Sequence, residues 1–300
     1  MRVMVTGARG WLGAHLVRAL LARGHQVVAM VRSLPDGAGA PDPAHPGCRS
    51  IAADLAGELP AGCMDGVDAV IHAAALVHRR PEVPDDFVRD NITATANVLQ
   101  AACRAGVPRF VYVSTGSVFG RPPREKVLTG LSLPEPTSLY GLTKYAGERL
   151  AEILPAGSGT GSAVVRFPAL FGPGVQGGIV PLFARSALAG EPIEVLGQGR
   201  NLRSLVHVAD AVDVLAALAA LKDGPGFASY MAGSRDSASV AEVARLLRDG
   251  LASRSPIVFV DRVVPFDYDV VIDNTPLAEA VGYRPMSVAE GLSSYLRELR

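Results

Sequence analysis

Val3-Met-Val-Thr-Gly7-Ala-Arg9-Gly10-Trp-Leu-Gly13 is the stretch that decides how this chain folds. A β-branched run, Arg2 to Thr6, enters a turn, and apolar residues at helical spacing (Leu12, Leu16, Ala19, Leu20) leave it. That order is strand, glycine turn, helix. Gly7 permits the tight turn. Gly10 lets a pyrophosphate approach the backbone at the helix N-terminus, and Gly13 allows close helix–strand packing. The turn therefore predicts a bound dinucleotide, with Gly7, Arg9, Gly10, Trp11, Leu12 and Gly13 as candidate contacts.

Outward from the turn, strands and helices alternate. Gly24 ends the first helix and Gln26 to Val31 is the next strand. A Pro/Gly-rich loop, 33–47, follows. Further strands are expected at Arg49–Ala53, Ala69–Ala73, Phe110–Ser114 and Ala163–Phe167, with helices at Asp86–Ala105 and Leu139–Leu154. Continuous apolar strands alternating with helices indicate an α/β fold, a doubly wound parallel Rossmann sheet covered on both faces. Beyond about residue 168 the texture changes to short helices (Ile179–Ala189, Asp210–Leu221) and short strands (Ile193–Leu196). The expected organisation is a dinucleotide-binding domain over 1–167, with 203–230 returning to it. A smaller mixed α/β substrate-binding lobe is expected over 168–202 and 231–300, on the C-terminal side.

Composition narrows the class of function. Of 300 residues, 29 are Lys or Arg and 29 are Asp or Glu, so the formal net charge is zero. No basic footprint for nucleic acid is present. Hydrophobic residues make up 49%, enough for a large core. Cys48, Cys63 and Cys103 form no CxxC and no metal spacing, so no metal is expected and a reducing compartment suits them. No apolar run reaches the roughly 20 residues of a membrane span. The expectation is a cytoplasmic protein that acts on a small molecule, without nucleic acid or membrane.

The end of the second strand bears on the choice of dinucleotide. An NAD site places Asp or Glu there to hold the ribose 2′-hydroxyl. Here the strand ends Ala29-Met-Val-Arg32-Ser33, with Arg9 nearby in the turn. Arginine suits a 2′-phosphate through paired charge-assisted hydrogen bonds. The reading favours NADP(H), with NAD(H) as the alternative.

Tyr140-Gly-Leu-Thr-Lys144 places a phenol and an ammonium four residues apart, on one helical face. A nearby cation is expected to lower the phenol's pKa and fit it to exchange the proton of an alcohol–ketone couple. Upstream, Phe110-Val-Tyr-Val-Ser-Thr115-Gly-Ser117-Val-Phe-Gly120 ends a strand in small hydroxyl residues. Together these segments resemble the extended short-chain dehydrogenase/reductase family of NAD-dependent epimerases, dehydratases and related ketoreductases. The resemblance implies a catalytic set of Thr115, Tyr140 and Lys144, with Lys144 also on the nicotinamide ribose. Ser114 and Ser117 are implied neighbours of the substrate.

The resemblance extends along the chain from residue 2 to 285. Val70-Ile-His-Ala73-Ala74-Ala75 is similar to a family segment beside the cofactor's adenosine, and Asp54-Leu55 to the pair that contacts adenine. Asn91 falls in a segment like the family's NxxGTxNVLEA helix, with Ala94 replacing its glycine. Val165-Arg-Phe167-Pro-Ala-Leu-Phe-Gly-Pro-Gly174 is similar to RPxxVYGPG, which places Phe167 among the cofactor residues. Arg203, in Gly197 to Asp210, matches the arginine that contacts substrate phosphates in nucleotide-sugar members. Against that, Asp267 and Asp269 lie where those members often show Arg-x-Gly-Asp. His72 and His207 are read as packing residues. The family also implies a homodimer through helices 86–105 and 139–154, unless their apolar faces only cover the sheet.

Three reactions compete within the family. Thr115 is followed by Gly116-Ser117, not by Asp-Glu, which disfavours a dehydratase. Arg32 in place of an acid favours an NADPH-dependent ketoreductase acting on a keto sugar or similar carbonyl compound. An NAD-dependent nucleotide-sugar epimerase is the alternative. A non-catalytic NADP(H) sensor is a third reading, opposed by the presence of both Tyr140 and Lys144.

Overall fold

The computed structural model describes residues 1–33, 45–77, 81–120, 126–222, 226–262 and 268–299. Most of the 33–47 loop and Asp267 therefore lie outside the described residues. The chain divides into two compact units. The first comprises Met1–Gly120, Pro134–Arg166 and Val212–Tyr230, and the second Arg121–Leu133, Phe167–Ala211 and Met231–Arg300.

The first unit is built on seven strands: β1 (Arg2–Thr6), β2 (Gln26–Val31), β3 (Cys48–Ala52), β4 (Ala69–His72), β5 (Arg109–Thr115), β6 (Gly161–Phe167) and β7 (Phe227–Met231). Their order across the sheet is β7-β6-β5-β4-β1-β2-β3. The pairs β1–β2, β2–β3, β1–β4 and β4–β5 are parallel. The order reverses between β1 and β4, so the carboxyl ends of those strands open a crevice at the switch point. Thr6 and His72 stand side by side there. Met4, Met30, Val70, Phe110 and Tyr112 pack with Val98, Leu99 and Ala102 in one core.

Helix α1 (Trp11–Ala22) buries Leu16, Val17, Leu20 and Leu21, as its periodicity predicts. The long helix expected over 86–105 differs. It is a short turn, Pro84–Phe87, then a wider π-helical turn, Val88–Thr93, then a regular helix α2 (Ala94–Arg104). Apolar periodicity cannot register that extra residue, because the hydrogen bonds of Asn91 decide it, as described below. Helix α3 (Leu139–Ile153) starts at Ser138, whose hydroxyl accepts from the Gly141 amide at 3.0 Å.

The second unit has its own core. Phe171, Phe183, Ile193, Val195, Val243, Leu247, Leu292 and Tyr295 pack together in it. Strands Ile193–Leu196 and Ile257–Val260 pair in parallel. Helix Val240–Gly250 is capped by Ser239, and Val288–Glu298 by a reciprocal capping box of Ser287 and Glu290. The stretch that rejoins the first unit begins at Val212, later than the expected 203. Leu202–Arg203 instead pairs antiparallel with Ala238–Ser239 inside the second unit. Among the described residues, no helix is long and apolar enough to cross a membrane.

Candidate active site

The glycine turn has little room to change. A Cβ on Gly13 would sit 2.1 Å from the Gly7 carbonyl oxygen, a backbone atom that cannot swing away. Gly13→Ala should therefore cost more than the ~1–3 kcal/mol of ordinary overpacking. Titration calorimetry of the purified variant is expected to show dinucleotide binding lost or greatly weakened. Gly10 caps α1 without any side-chain hydrogen bond, and the first turn carries no acid. Its amides and the helix dipole are thus disposed toward an anion.

A cleft of about 270 Å³ opens beside this turn. Gly7, Arg9 and Gly10 line it from β1, and Arg32 from the end of β2. Asp54 and Leu55 follow β3, and Ala73, Ala74 and Ala75 follow β4. Met30, Val31, Ala53, Ala56, Asp90 and Ala94 complete the wall. The small residues leave room for a flat ring, and the helix N-terminus for phosphate, so the residues present fit a dinucleotide. Asp90 was not visible as a site residue, since an acid in an amphipathic helix carries no distinguishing signal.

The cradle is held by a buried chain of hydrogen bonds. The Thr95 hydroxyl donates to the Asn91 carbonyl at 2.6 Å, so toward His72 it can only accept. His72 therefore carries its proton on Nε2, 3.0 Å from Thr95, and its Nδ1 accepts from Thr6 Oγ1 at 2.8 Å. Thr6 in turn accepts from the Ala74 amide. Burial pulls the His72 pKa down to about 3, which keeps the ring neutral. One packed histidine thus ties the glycine turn, the 73–75 turn and α2 together.

Asn91, expected among the cofactor contacts, is buried, and its side chain is engaged by protein groups. Its amide nitrogen donates to the Leu76 carbonyl and to Thr143 Oγ1 at 2.9 Å, and its oxygen accepts from the Leu76 amide. Thr143 lies on α3 between Tyr140 and Lys144. The π turn places Asn91 where it clamps the loop after β4 to the helix that bears the tyrosine.

Thr115 ends β5, and Tyr140 and Lys144 stand one turn apart on α3, which packs against that strand. The Thr115 hydroxyl accepts from the Ser117 amide at 3.1 Å and caps the short turn Gly116–Val118. The same hydroxyl donates to Ser117 Oγ at 3.2 Å, and its proximity favours the ionised form of the Tyr140 phenol. A Cβ on Gly141 would meet the Ser117 carbonyl oxygen at 2.2 Å. The bare glycine therefore lets α3 approach close enough for the Thr115–Tyr140 contact.

The electrostatics differ from the expected lowered phenol. Burial raises the Tyr140 pKa, and the proximity of Thr115 only partly offsets it. The Lys144 ammonium sits 4.0 Å from the centre of the Tyr112 ring, a cation–π contact. Burial lowers the Lys144 pKa to about 7, opposed by the Glu148 carboxylate. Spacing along a helix puts two side chains on one face but does not say which ring a long ammonium will cover.

Beneath these groups lies a buried ion pair. Arg166 donates through Nε and Nη2 to the two oxygens of Glu148, at 3.0 and 2.8 Å. The Ser114 hydroxyl donates to Glu148 Oε1 at 2.5 Å. Ser114, expected near substrate, thus belongs to this network. Glu148 could have been picked out, because Tyr140, Lys144 and Glu148 repeat every four residues on α3.

Trp11 and Leu12 open α1, with Trp11 edge-on to His15. Phe167 ends β6 and is buried. Arg203 lies in the second unit, where its Nη1 donates to the carbonyls of Leu202 (2.8 Å) and Tyr268 (2.5 Å). Asp269 accepts from the Leu202 amide. His207 packs against Phe171 and stands 3.9 Å from Glu298.

The family model for the NAD dependent epimerase/dehydratase family matches residues 3–233. The chain belongs to this family. A UDP-N-acetyl-alpha-D-glucosaminuronate decarboxylase of Bacillus cytotoxicus is 28% identical, over 100% of this chain and 98% of that one. A dTDP-glucose 4,6-dehydratase of an Actinoplanes species is 31% identical, over 95% and 93%. Among solved structures, MoeE5 in complex with UDP-glucuronic acid and NAD is 32% identical. It covers 100% of this chain and 99% of its own, with a TM-score of 0.85. These epimerase/dehydratase relatives are nucleotide-sugar-modifying enzymes, and the bound dinucleotide named in that structure is NAD. The NADP(H) preference expected from Arg32 finds no support among them.

Proposed function

We propose that this chain is an NAD-dependent enzyme that oxidises and re-reduces one carbon of a nucleotide-linked sugar, as a 4-epimerase does. The reading is supported by Thr115 of β5 acting on Tyr140 of α3, by the buried Lys144 one turn beyond Tyr140, and by a cleft fitted to a dinucleotide, all within one unit. A bound nicotinamide supplies the redox chemistry. Tyr140 exchanges the proton of the sugar hydroxyl, and Thr115 holds the oxygen in line, which removes part of the barrier by positioning. Lys144 holds the nicotinamide ribose. Arg203 is the proposed phosphate contact and Ser117 a second substrate contact. Gly116-Ser117 supplies no acid pair for dehydration.

A ketoreductase using the same three residues is the second reading, favoured by the basic end of β2. Incubation with UDP-glucuronic acid or UDP-glucose and catalytic NAD⁺, followed by proton NMR of the sugar, separates the two. Interconversion of 4-epimers without accumulating NADH is the expected result. Stoichiometric consumption of NAD(P)H with a keto sugar, and no interconversion, would establish the ketoreductase.

A further inference from the structure

Among the described residues β2 runs into Arg32 rather than an acid, but the fold supplies an acid from elsewhere. Arg32 Nη2 donates to Asp90 Oδ2 at 2.7 Å. Asp90 stands on the π turn before α2, and both residues line the cleft. The two side chains are unequal: that of Asp90 is 10% exposed and that of Arg32 is 74% exposed. Asp90 is thus the anchored partner and Arg32 the one drawn to it. The other Asp90 oxygen accepts from Arg89 Nη1 at 2.6 Å, and Arg89 also pairs with Asp54. Arg32, Asp90, Arg89 and Asp54 therefore form a strip of alternating charge that sums to zero.

Given the dinucleotide reading above, we infer that Asp90 is the residue that selects NAD(H) over NADP(H). A ribose 2′-hydroxyl can donate to a carboxylate on this wall. A 2′-phosphate would meet that carboxylate, or would have to take Arg32 away from it. Among the described lining residues Arg9 is the remaining cation, and its Nη1 donates to the Ser33 carbonyl at 3.4 Å. The arginine that sequence alone assigns to a 2′-phosphate is neutralised by an acid 58 residues away.

Titration calorimetry with NAD⁺ and NADP⁺ tests this on the whole chain, in the wild type and in Asp90→Asn. The wild type should bind NAD⁺ at least about tenfold more tightly than NADP⁺. Asp90→Asn should strengthen NADP⁺ binding by about tenfold and leave NAD⁺ within about threefold. Adding Arg32→Ala to Asp90→Asn should cancel that gain. Asp90→Ser reads the same ratio should the amide disturb the π turn. A wild type that binds NADP⁺ as well as NAD⁺, or an Asp90→Asn that shifts both alike, overturns the assignment. Both readouts are binding constants, so they stand even if the sugar assay shows no epimerisation.

Discussion

Tyr140→Phe is expected to lower kcat by about 10²–10⁴-fold, the usual contribution of a positioned acid–base group. The substitution removes the oxygen that exchanges the proton and leaves the ring that packs at the start of α3. Calorimetry should therefore show NAD⁺ affinity little changed. Unaltered turnover in this variant would remove the proposed chemistry and revive the reading of a dinucleotide sensor. The pH profile carries a second expectation. Burial raises the Tyr140 pKa, so the phenol is protonated at neutral pH. Sugar oxidation needs the phenolate, so single-turnover oxidation should quicken as pH rises above neutrality.

Arg166→Met should be strongly destabilising. It leaves the Glu148 carboxylate buried with the Ser114 hydroxyl and the half-ionised Lys144 in place of a guanidinium bound to both of its oxygens. Breaking a buried pair from one side costs about 3–5 kcal/mol. At about 2–4 °C per kcal/mol for a body of this size, the melting midpoint should fall by roughly 6–20 °C. Combining it with Glu148→Leu should restore much of that loss, because the buried carboxylate is then gone and Lys144, already lowered to about 7, can shed its proton. A midpoint unchanged in the single variant would show that the pair is not the buried support described above.

Glu148→Gln probes the same network through Lys144. The carboxylate opposes the desolvation of the ammonium, so removing its charge should take the Lys144 pKa below about 7. Linkage has a definite sign here. The folded pKa of Lys144 lies below its ordinary value, so the unfolded chain binds more protons between about 7 and 10.5. Stability from this group therefore rises with pH across that window and is lost on acidification toward 7. In Glu148→Gln the loss should extend to lower pH, as denaturation midpoints taken across the range would show.

Local pattern was enough for the framework of the first unit. The glycine spacing, the apolar periods of β1, β2 and α1, and the Tyr140–Lys144 spacing are short-range features, and each appears where its residues predict it. The family model matches residues 3–233, the stretch that holds these segments. What escaped the sequence depends on partners distant along the chain. The π turn exists where Asn91 must reach both Leu76 and Thr143. The Tyr140 pKa moves up because the fold buries it, and the Lys144 ammonium lies over the Tyr112 ring. Ser114 serves Glu148 because β6 brings Arg166 beneath the same helix.

The sequence by itself determined the class of fold, the glycine cradle and the three residues proposed for proton exchange. Only the tertiary structure decided the charge state and company of those residues. Arg32 is the clearest case: as a residue in a chain it is a free cation, and in the fold it is half of a pair with Asp90. The physical reason is that propensity and periodicity act over a few residues. Burial and Coulomb interactions act between whichever groups the sheet order brings together.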